Sequence, residues 1–388
     1  MAITPLDRFL EYQMHLLKDS GQPRPFAAWR QDLITAALSA WFFGGLVLDT
    51  NAHAREWAEG FFTWWHLAFY TGFLATAAWI AYLMYRAHRG DGRTGKAAVP
   101  HGYGPAVIGA PLFIVSGLGD MLWHQLLGVE ESLDILFSPS HLGLAVGGIL
   151  VVLAPWLSAW RRAGLGAEPE PVSPFVRFAA PALSLGFAFG AVVLFLGYLV
   201  AFAQTPLETA LALRGPEFAS FPVAAIMFTT VAVLALVLIV TGRFGVPPGF
   251  FTVAFAYPAI MAAASEGFAN DGYAWLFLAS GAWADFLTWL VRPDLRRRRD
   301  LITFAAGWAV PVWAAYFIVT GGATGIWPAP EIGLGAPIVA ALVGTAFMLV
   351  VQPDRGGSVS AESSEPSPFD DVMARAKAMT RNRGGDTG

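Results

Sequence analysis

The chain has 388 residues, of which 56% are apolar and only 13% are charged, and its formal net charge is −4. This composition excludes an ordinary soluble domain and is typical of an integral membrane protein. The sequence contains no cysteine, which excludes disulfides, thiolate metal sites, iron–sulfur clusters and covalently attached c-type haem.

Residues 1–30 lack the continuous apolar core of a cleavable signal peptide. We expect them to form a cytoplasmic amphipathic segment with an interfacial helix over residues 5–17. Thr4 suits the cap of this helix, and Pro5 suits its first turn. The apolar stripe of the helix would contain Leu6, Phe9, Leu10, Met14 and Leu17.

Apolar segments follow, each near the length of about 20 residues that crosses a hydrocarbon core as a helix. We therefore predict an all-α fold, a polytopic membrane bundle of about ten transmembrane helices. The segments lie near 31–49, 61–85, 104–127, 140–160, 175–203, 220–241, 249–266, 272–291, 301–321 and 332–351. Residues 31–162 would form a four-helix metal-site bundle, 163–352 a six-helix membrane region and 353–388 a disordered cytoplasmic tail.

The loops alternate in charge, and this alternation predicts the orientation. Basic residues precede the first span and follow the second, fourth and eighth, as in Arg296–Arg299, whereas the odd-numbered loops are acidic. Because positively charged loops remain in the cytoplasm, we expect both termini inside (N-in/C-in). We expect the protein in a bacterial-type inner (cytoplasmic) membrane, with the odd-numbered loops on the extracytoplasmic side.

Four of the seven histidines belong to a pattern that occurs twice, in which an Asp and a His four residues apart are followed by a second His. The copies consist of Asp49, His53 and His66, and of Asp120, His124 and His141. A spacing of four places both side chains on one helical face. The second copy follows the first by 71 residues for the Asp and first His, and by 75 for the second His. The first four spans therefore indicate an internal repeat of two helix hairpins, and the loop charges predict that both Asp/His sites lie on the extracytoplasmic side.

One carboxylate and two imidazoles suit copper, zinc, iron or nickel, and the Irving–Williams order favours copper. The same set also describes the facial triad of non-haem iron oxygenases. Three protein ligands leave coordination positions open, which favours a reactive site over a structural one. The sequence leaves open whether there are two mononuclear sites or one dinuclear site.

Near the second triad, Glu130 and Glu131 either orient imidazoles or are ordinary loop acids. Ser138 and Pro139 are predicted to cap and start the fourth span, which would orient His141.

These residues resemble the copper-site motif in the C subunit of particulate methane monooxygenase and ammonia monooxygenase. The first copy has the family's spacing, with twelve residues between its two histidines. The second copy resembles the family's local sequence in His124-Gln125 and in Ser138-Pro139-Ser140-His141, although its two histidines are four residues further apart. The resemblance covers about residues 40–150 and implies copper at each triad near the outer face. The chain departs from the family in having two full triads and about ten predicted spans, and in lacking the large extracytoplasmic domain that another subunit of the family supplies.

Two classes of function follow. In the first, copper (alternatively iron or zinc) activates oxygen to oxidise a small apolar substrate that enters from the lipid bilayer. In the second, the chain binds, stores or transports copper or zinc without redox chemistry; non-covalent haem b is a weaker third reading. The second half offers Asp285 inside a span, either functional or paired, and Glu266–Asp271, either a decayed triad or a polar loop. We expect no nucleic-acid partner and leave open other membrane subunits or a homo-oligomer.

Overall fold

A computed structural model describes residues 18–57, 62–127, 134–215, 217–294 and 297–351. The described residues are helical or irregular and contain no β-strand. The predicted interfacial helix over 5–17, the acids Glu130 and Glu131, and the predicted disordered tail over 353–388 lie outside the described residues.

The α-helices of the described chain follow one another with short connections. They are α1 (Trp29–Ala54), α2 (Trp64–Asp91), α3 (Gly104–Leu127), α4 (Asp134–Phe137), α5 (Pro139–Val152), α6 (Ala154–Gly164), α7 (Pro174–Phe195), α8 (Pro206–Arg214), α9 (Ser220–Thr241), α10 (Phe250–Ser265), α11 (Asp271–Val291), α12 (Arg298–Thr324) and α13 (Pro330–Val350). Short 3₁₀ turns occupy Gly95–Ala98, Gly197–Leu199 and Ala201–Ala203.

Within the described residues, eight of these helices are long and apolar enough to cross a membrane: α1, α2, α3, α7, α9, α11, α12 and α13. A ninth span results if α5 and α6 are taken together, although the pair is bent by 49°. The bend follows from Pro155 in the first turn of α6, because proline cannot continue the hydrogen-bond ladder of the preceding helix. The prediction of an all-α membrane bundle is thus confirmed in outline, while the number of ten spans and the orientation stay predictions.

The helix α10, which covers the predicted seventh span, has only 16 residues. The predicted fifth span, 175–203, is also shorter as a helix, because α7 ends at Phe195 and the chain continues in the two 3₁₀ turns. The apolar pattern located both segments but could not set their ends, because buried irregular backbone is as apolar as a helix.

The two hairpins of the first half cross in equivalent ways. In the first, α1 packs on α2, and a Cβ added to Gly72 would lie 2.5 Å from Cα of Phe42. In the second, α3 packs on α5, and a Cβ on Gly147 would lie 2.8 Å from the backbone N of Phe113. Phe113 follows Phe42 by 71 residues and Gly147 follows Gly72 by 75, the offsets of the triads. The repeat therefore extends from the triads into the helix crossings.

A cluster of phenylalanines joins the two hairpins below the triads. The ring of Phe42 lies 5.2 Å from that of Phe113 and 5.5 Å from that of Phe73, measured between centroids. The helix α1 also contacts α7 and α10, where the hydroxyl of Tyr257 donates a 2.8 Å hydrogen bond to the carbonyl of Phe43. The described residues from 18 to 350 form one compact unit. The division at residue 162 stays an interpretation of the sequence.

A buried polar network closes the other end of the hairpins. The Asp32 carboxylate, in the first turn of α1, accepts hydrogen bonds from Tyr103 Oη at 2.7 Å and from Ser158 Oγ at 3.0 Å. Thr35 Oγ1 lies 2.9 Å from the same tyrosine hydroxyl. Asp32 precedes Asp49 by 17 residues of one helix, which separates them by about 25 Å. The network ties α1 to α6 and to the turn before α3, far from the triads.

Candidate metal centre

The first triad lies where α1 ends and α2 begins. Asp49 and His53 occupy the last turns of α1, and His66 is in the first turn of α2. Nε2 of His66 lies 2.9 Å from Oδ1 of Asp49, and Nε2 of His53 lies 3.6 Å from the same oxygen. One ligand-type atom of each residue lies within 4.8 Å of those of the other two. The residues of the first predicted triad are therefore together.

The second triad repeats this placement at the end of α3 and the start of α5. Nε2 of His124 lies 3.4 Å from Oδ2 of Asp120, and Nδ1 of His141 lies 3.3 Å from Oδ1. Their ligand-type atoms also lie within 4.8 Å of one another. The carboxylate is nearly buried, and both imidazoles are partly buried. The nitrogen of the second histidine that faces the carboxylate differs between the triads: Nε2 at His66 and Nδ1 at His141.

A hydroxyl fixes the second histidine of each triad. Thr63 caps α2: its Oγ1 accepts the backbone N–H of His66 and lies 2.9 Å from Nδ1 of that residue. Ser138 caps α5 in the same way, with Oγ 2.8 Å from Nδ1 of His141. The predicted cap at Ser138 is confirmed. The Thr63 cap was missed, although a hydroxyl three residues before each second histidine is visible in the sequence.

The distances within the triads fit a metal ion. Ligand atoms of a tetrahedral ion with bonds of about 2.0–2.1 Å lie about 3.3 Å apart, and the closest carboxylate–imidazole distances here range from 2.9 to 3.6 Å. Oδ1 of Asp49 is buried and has no hydrogen bond within the described residues, although Nε2 of His66 is only 2.9 Å away. The two atoms thus lie side by side without the linear geometry of a hydrogen bond, as two ligands of one ion do.

Both triads line a single cavity of about 690 Å³. This volume is within the range of small-molecule sites. Apart from the triads, its wall is mainly apolar and includes Phe42, Phe43, Leu46, Phe69, Phe113, Leu144, Leu194 and Phe195. A ligand in the cavity would therefore meet two imidazole–carboxylate groups on an otherwise mainly apolar surface.

Tyr70 is the main difference between the two halves of this cavity. Its ring stacks on that of His66 at 6.0 Å between centroids, and it interacts electrostatically with both Asp49 and Asp120. The equivalent position of the second hairpin, 75 residues later, is Ala145, which also lines the cavity. The sequence pattern gave no signal for Tyr70, because its place between the triads depends on how the hairpins pack.

The candidates of the second half do not form a third triad. Asp285 accepts hydrogen bonds from the backbone N–H groups of Phe251 at 3.0 Å and Thr252 at 2.8 Å, and from Thr252 Oγ1 at 2.7 Å. It therefore caps the first turn of α10. Asn270 is buried and donates to the carbonyls of Phe202 and Ala262. These contacts support the structural readings of both residues.

Glu266 ends α10 near the first triad's hairpin. Burial, together with the nearby Glu208 carboxylate, raises the pKa of Glu266 from an ordinary 4.5 to about 7. The adjacent carbonyl of Gly267 accepts a 2.9 Å hydrogen bond from the Arg55 guanidinium, which follows α1. The loop after α10 is thereby tied to the end of the hairpin that carries the first triad.

Comparison with protein-family models, with curated protein sequences and with solved structures gives no match. The resemblance to the monooxygenase C subunit therefore stays a prediction from the two motifs. Ligation by the triads rests on their geometry.

Proposed function

We propose that the chain is a membrane metalloprotein that holds copper at its Asp/His/His triads and oxidises a small apolar substrate with molecular oxygen. The observation that carries the proposal is the shared cavity: both triads line it, and the remaining wall is mainly phenylalanine, leucine and alanine. A site for metal storage needs no such apolar space. A substrate without charge needs it, because burial of apolar surface is what binds such a molecule.

The bound copper would supply the redox chemistry. Transfer of one oxygen atom of O₂ into a C–H bond, with the other leaving as water, consumes two electrons and two protons from an external reductant. The chain's own residues would hold the copper and keep the ligand side chains in position. Each triad would provide a carboxylate and two imidazoles to the ion, fewer ligands than a closed structural site has, and its residues line the cavity. Thr63 and Ser138 restrain the histidine rings, and the phenylalanine side chains of the cavity wall make the space beside the triads mainly apolar.

Metal storage or transport is the competing function. Transport across the membrane needs polar groups along a route, and Asp285 was the candidate for such a route in the sequence. Its carboxylate accepts three hydrogen bonds from the first turn of α10, so it is engaged in the fold. This contact favours the oxidative function over transport.

The first experiment is elemental analysis of the detergent-purified protein by mass spectrometry. The parent is compared with a His66→Ala/His141→Ala variant and with His88→Ala, a matched control whose ring nitrogen contacts the carbonyl of Arg93 at 3.1 Å, outside both triads. We expect stoichiometric copper in the parent and in the control, and a loss in the double variant. Absence of metal in the parent, even after incubation with copper, iron or zinc, would overturn the proposal.

Catalysis is then tested with the loaded protein, a reductant, O₂ and short-chain hydrocarbons. Hydroxylated product that disappears in the double variant supports the oxidative function. Bound copper without oxygen-dependent product from any of these substrates supports the metal-handling function instead.

A further inference from the structure

The side chains around the shared cavity differ in size between the two hairpins. The second helix of each hairpin has residues at three equivalent positions, which lie three, four and seven places after its triad histidine. They are Phe69, Tyr70 and Phe73 on α2, and Leu144, Ala145 and Gly148 on α5. Every aromatic ring of α2 is thus matched on α5 by a smaller side chain or by none. The two copies of the repeat therefore differ in side-chain volume below their triads.

Aromatic rings fill the space beside α2, below the first triad. The ring of Tyr70 stacks on that of His66, and the buried ring of Phe73 stacks on that of Phe113 with 4.2 Å between their centroids. The ring of Phe69 is buried as well. The three rings therefore occupy the space that their smaller counterparts leave free on α5.

The cavity continues along α5, below the second triad. Gly148 lies seven residues after His141, which is about 10 Å along the helix axis. Both residues line the cavity, as does Ala145 between them. A Cβ added to Gly148 would lie 3.6 Å from Cζ of Phe42, an ordinary van der Waals contact, whereas a Cβ on the neighbouring Gly147 would meet the backbone of α3. The α5 wall of the cavity is therefore a strip of small and aliphatic residues that begins at the second triad.

We infer that the apolar substrate binds along α5 beside the second triad, and that Ala145 and Gly148 determine the size of the hydrocarbon that fits there. An apolar molecule binds where it contacts apolar side chains without displacing closely packed rings. Tyr70 fills the equivalent place beside the first triad, where it stacks on His66. This inference rests on the proposed function, and it adds the triad at which the substrate is oxidised and two residues that select the substrate by size.

The place of binding is tested without metal, by diffraction from crystals of the full-length, metal-free protein under xenon pressure, because xenon enters apolar cavities. We expect a xenon atom in contact with Ala145 and Gly148, and its loss in Ala145→Leu. Gly148→Ala is a second variant, whose added methyl group makes only ordinary contacts with neighbouring rings. Xenon bound instead beside Leu46 and Thr50, which line the cavity on the α1 side, would overturn the inference, as would a cavity that takes up no xenon.

The selection by size is tested with the copper-loaded protein and a series of hydrocarbons of increasing length. We expect Ala145→Leu to keep the parental copper content and to raise KM for the longest accepted hydrocarbon about tenfold, because the larger side chain overpacks the substrate. The matched control is Val146→Leu, at an exposed position of the same helix, which should keep the parental KM.

An unchanged KM in Ala145→Leu, or an equal rise in Val146→Leu, would overturn the selection by size. Absence of product from the parent would instead overturn the proposed function, whereas the xenon experiment decides independently where an apolar molecule binds.

Discussion

The hydroxyl of Thr63 contacts His66 twice, as the cap that accepts its backbone N–H and as the partner of its Nδ1 at 2.9 Å. One side chain thus starts α2 and restrains the imidazole that faces Asp49. A ligand histidine whose second nitrogen is hydrogen-bonded keeps its ring orientation and tautomer, and loss of such a partner commonly weakens metal binding. Helix formation and preparation of the site are therefore coupled at this residue.

Thr63→Val should separate these two roles. Valine keeps the branched shape and removes the oxygen, so we expect the affinity of the first triad to fall about 10- to 100-fold and the protein to lose about 1 kcal/mol of stability with the cap. Thr63→Ser should restore both. The control is Ser173→Ala, which removes the cap of α7, where Oγ accepts the N–H of Val176 and no triad residue is present. Chelator competition and thermal unfolding give the two readouts; unchanged affinity in Thr63→Val would show that the hydroxyl serves only the helix.

Gly72→Ala should weaken the crossing of the first hairpin. A Cβ at this position would lie 2.5 Å from Cα of Phe42, so one of the helices must shift. We expect a loss of about 1–3 kcal/mol, as for other overpacked interiors, and a drop in metal content because α1 and α2 carry the first triad. Gly90→Ala in the same helix meets nothing within 4 Å and should be neutral or stabilising. Equal unfolding temperatures of the two variants would contradict the close crossing.

Asp285→Ala should destabilise the protein without changing its metal content. The substitution leaves the N–H groups of Phe251 and Thr252 without their acceptor, and an unpaired buried polar group costs about 1–3 kcal/mol. The unfolding temperature and the copper content of the parent and variant are measured side by side. A variant of parental stability that has lost copper or transports it differently would return Asp285 to a functional role.

Glu266→Gln should change how stability depends on pH. The pKa of Glu266 is raised to about 7 in the folded protein from an ordinary 4.5, so folding favours the protonated carboxyl. The parent therefore loses stability as the pH rises from about 4.5 through 7. We expect the glutamine variant to unfold at a higher temperature than the parent at pH 8, and the difference to shrink at pH 5.

The matched control for this comparison is Glu168→Gln, at an exposed carboxylate, which should give no such gain at pH 8. A Glu266→Gln variant that follows the parent at both pH values would mean that the carboxyl is as well solvated in the folded chain as in the unfolded one.

The local order of the chain determined much of the fold and of the triads. Apolar length located the helices, because a segment that must satisfy its backbone in lipid has few alternatives to a helix. The spacing from Asp49 to His53 placed two side chains on one face, and the cap at Ser138 followed from local chemistry. These inferences rest on neighbours within a few turns of one helix, so the sequence contains them directly.

Packing decided what the sequence left open. Both triads line one cavity because of how α1, α2, α3 and α5 cross. The glycines at 72 and 147 allow the close crossings, but their presence in the sequence does not predict which helices cross there. Asp285 acquires its partners from residues more than 30 positions away, and Tyr70 interacts electrostatically with both carboxylates only because the hairpins are joined. The sequence by itself placed the Asp and the first His of each triad on one helical face, because helical periodicity is local, and the repeat of the pattern pointed to the second His at the start of the next helix. Only the tertiary structure decided that the triads face a common apolar space, because that depends on side-chain packing between segments far apart in the chain.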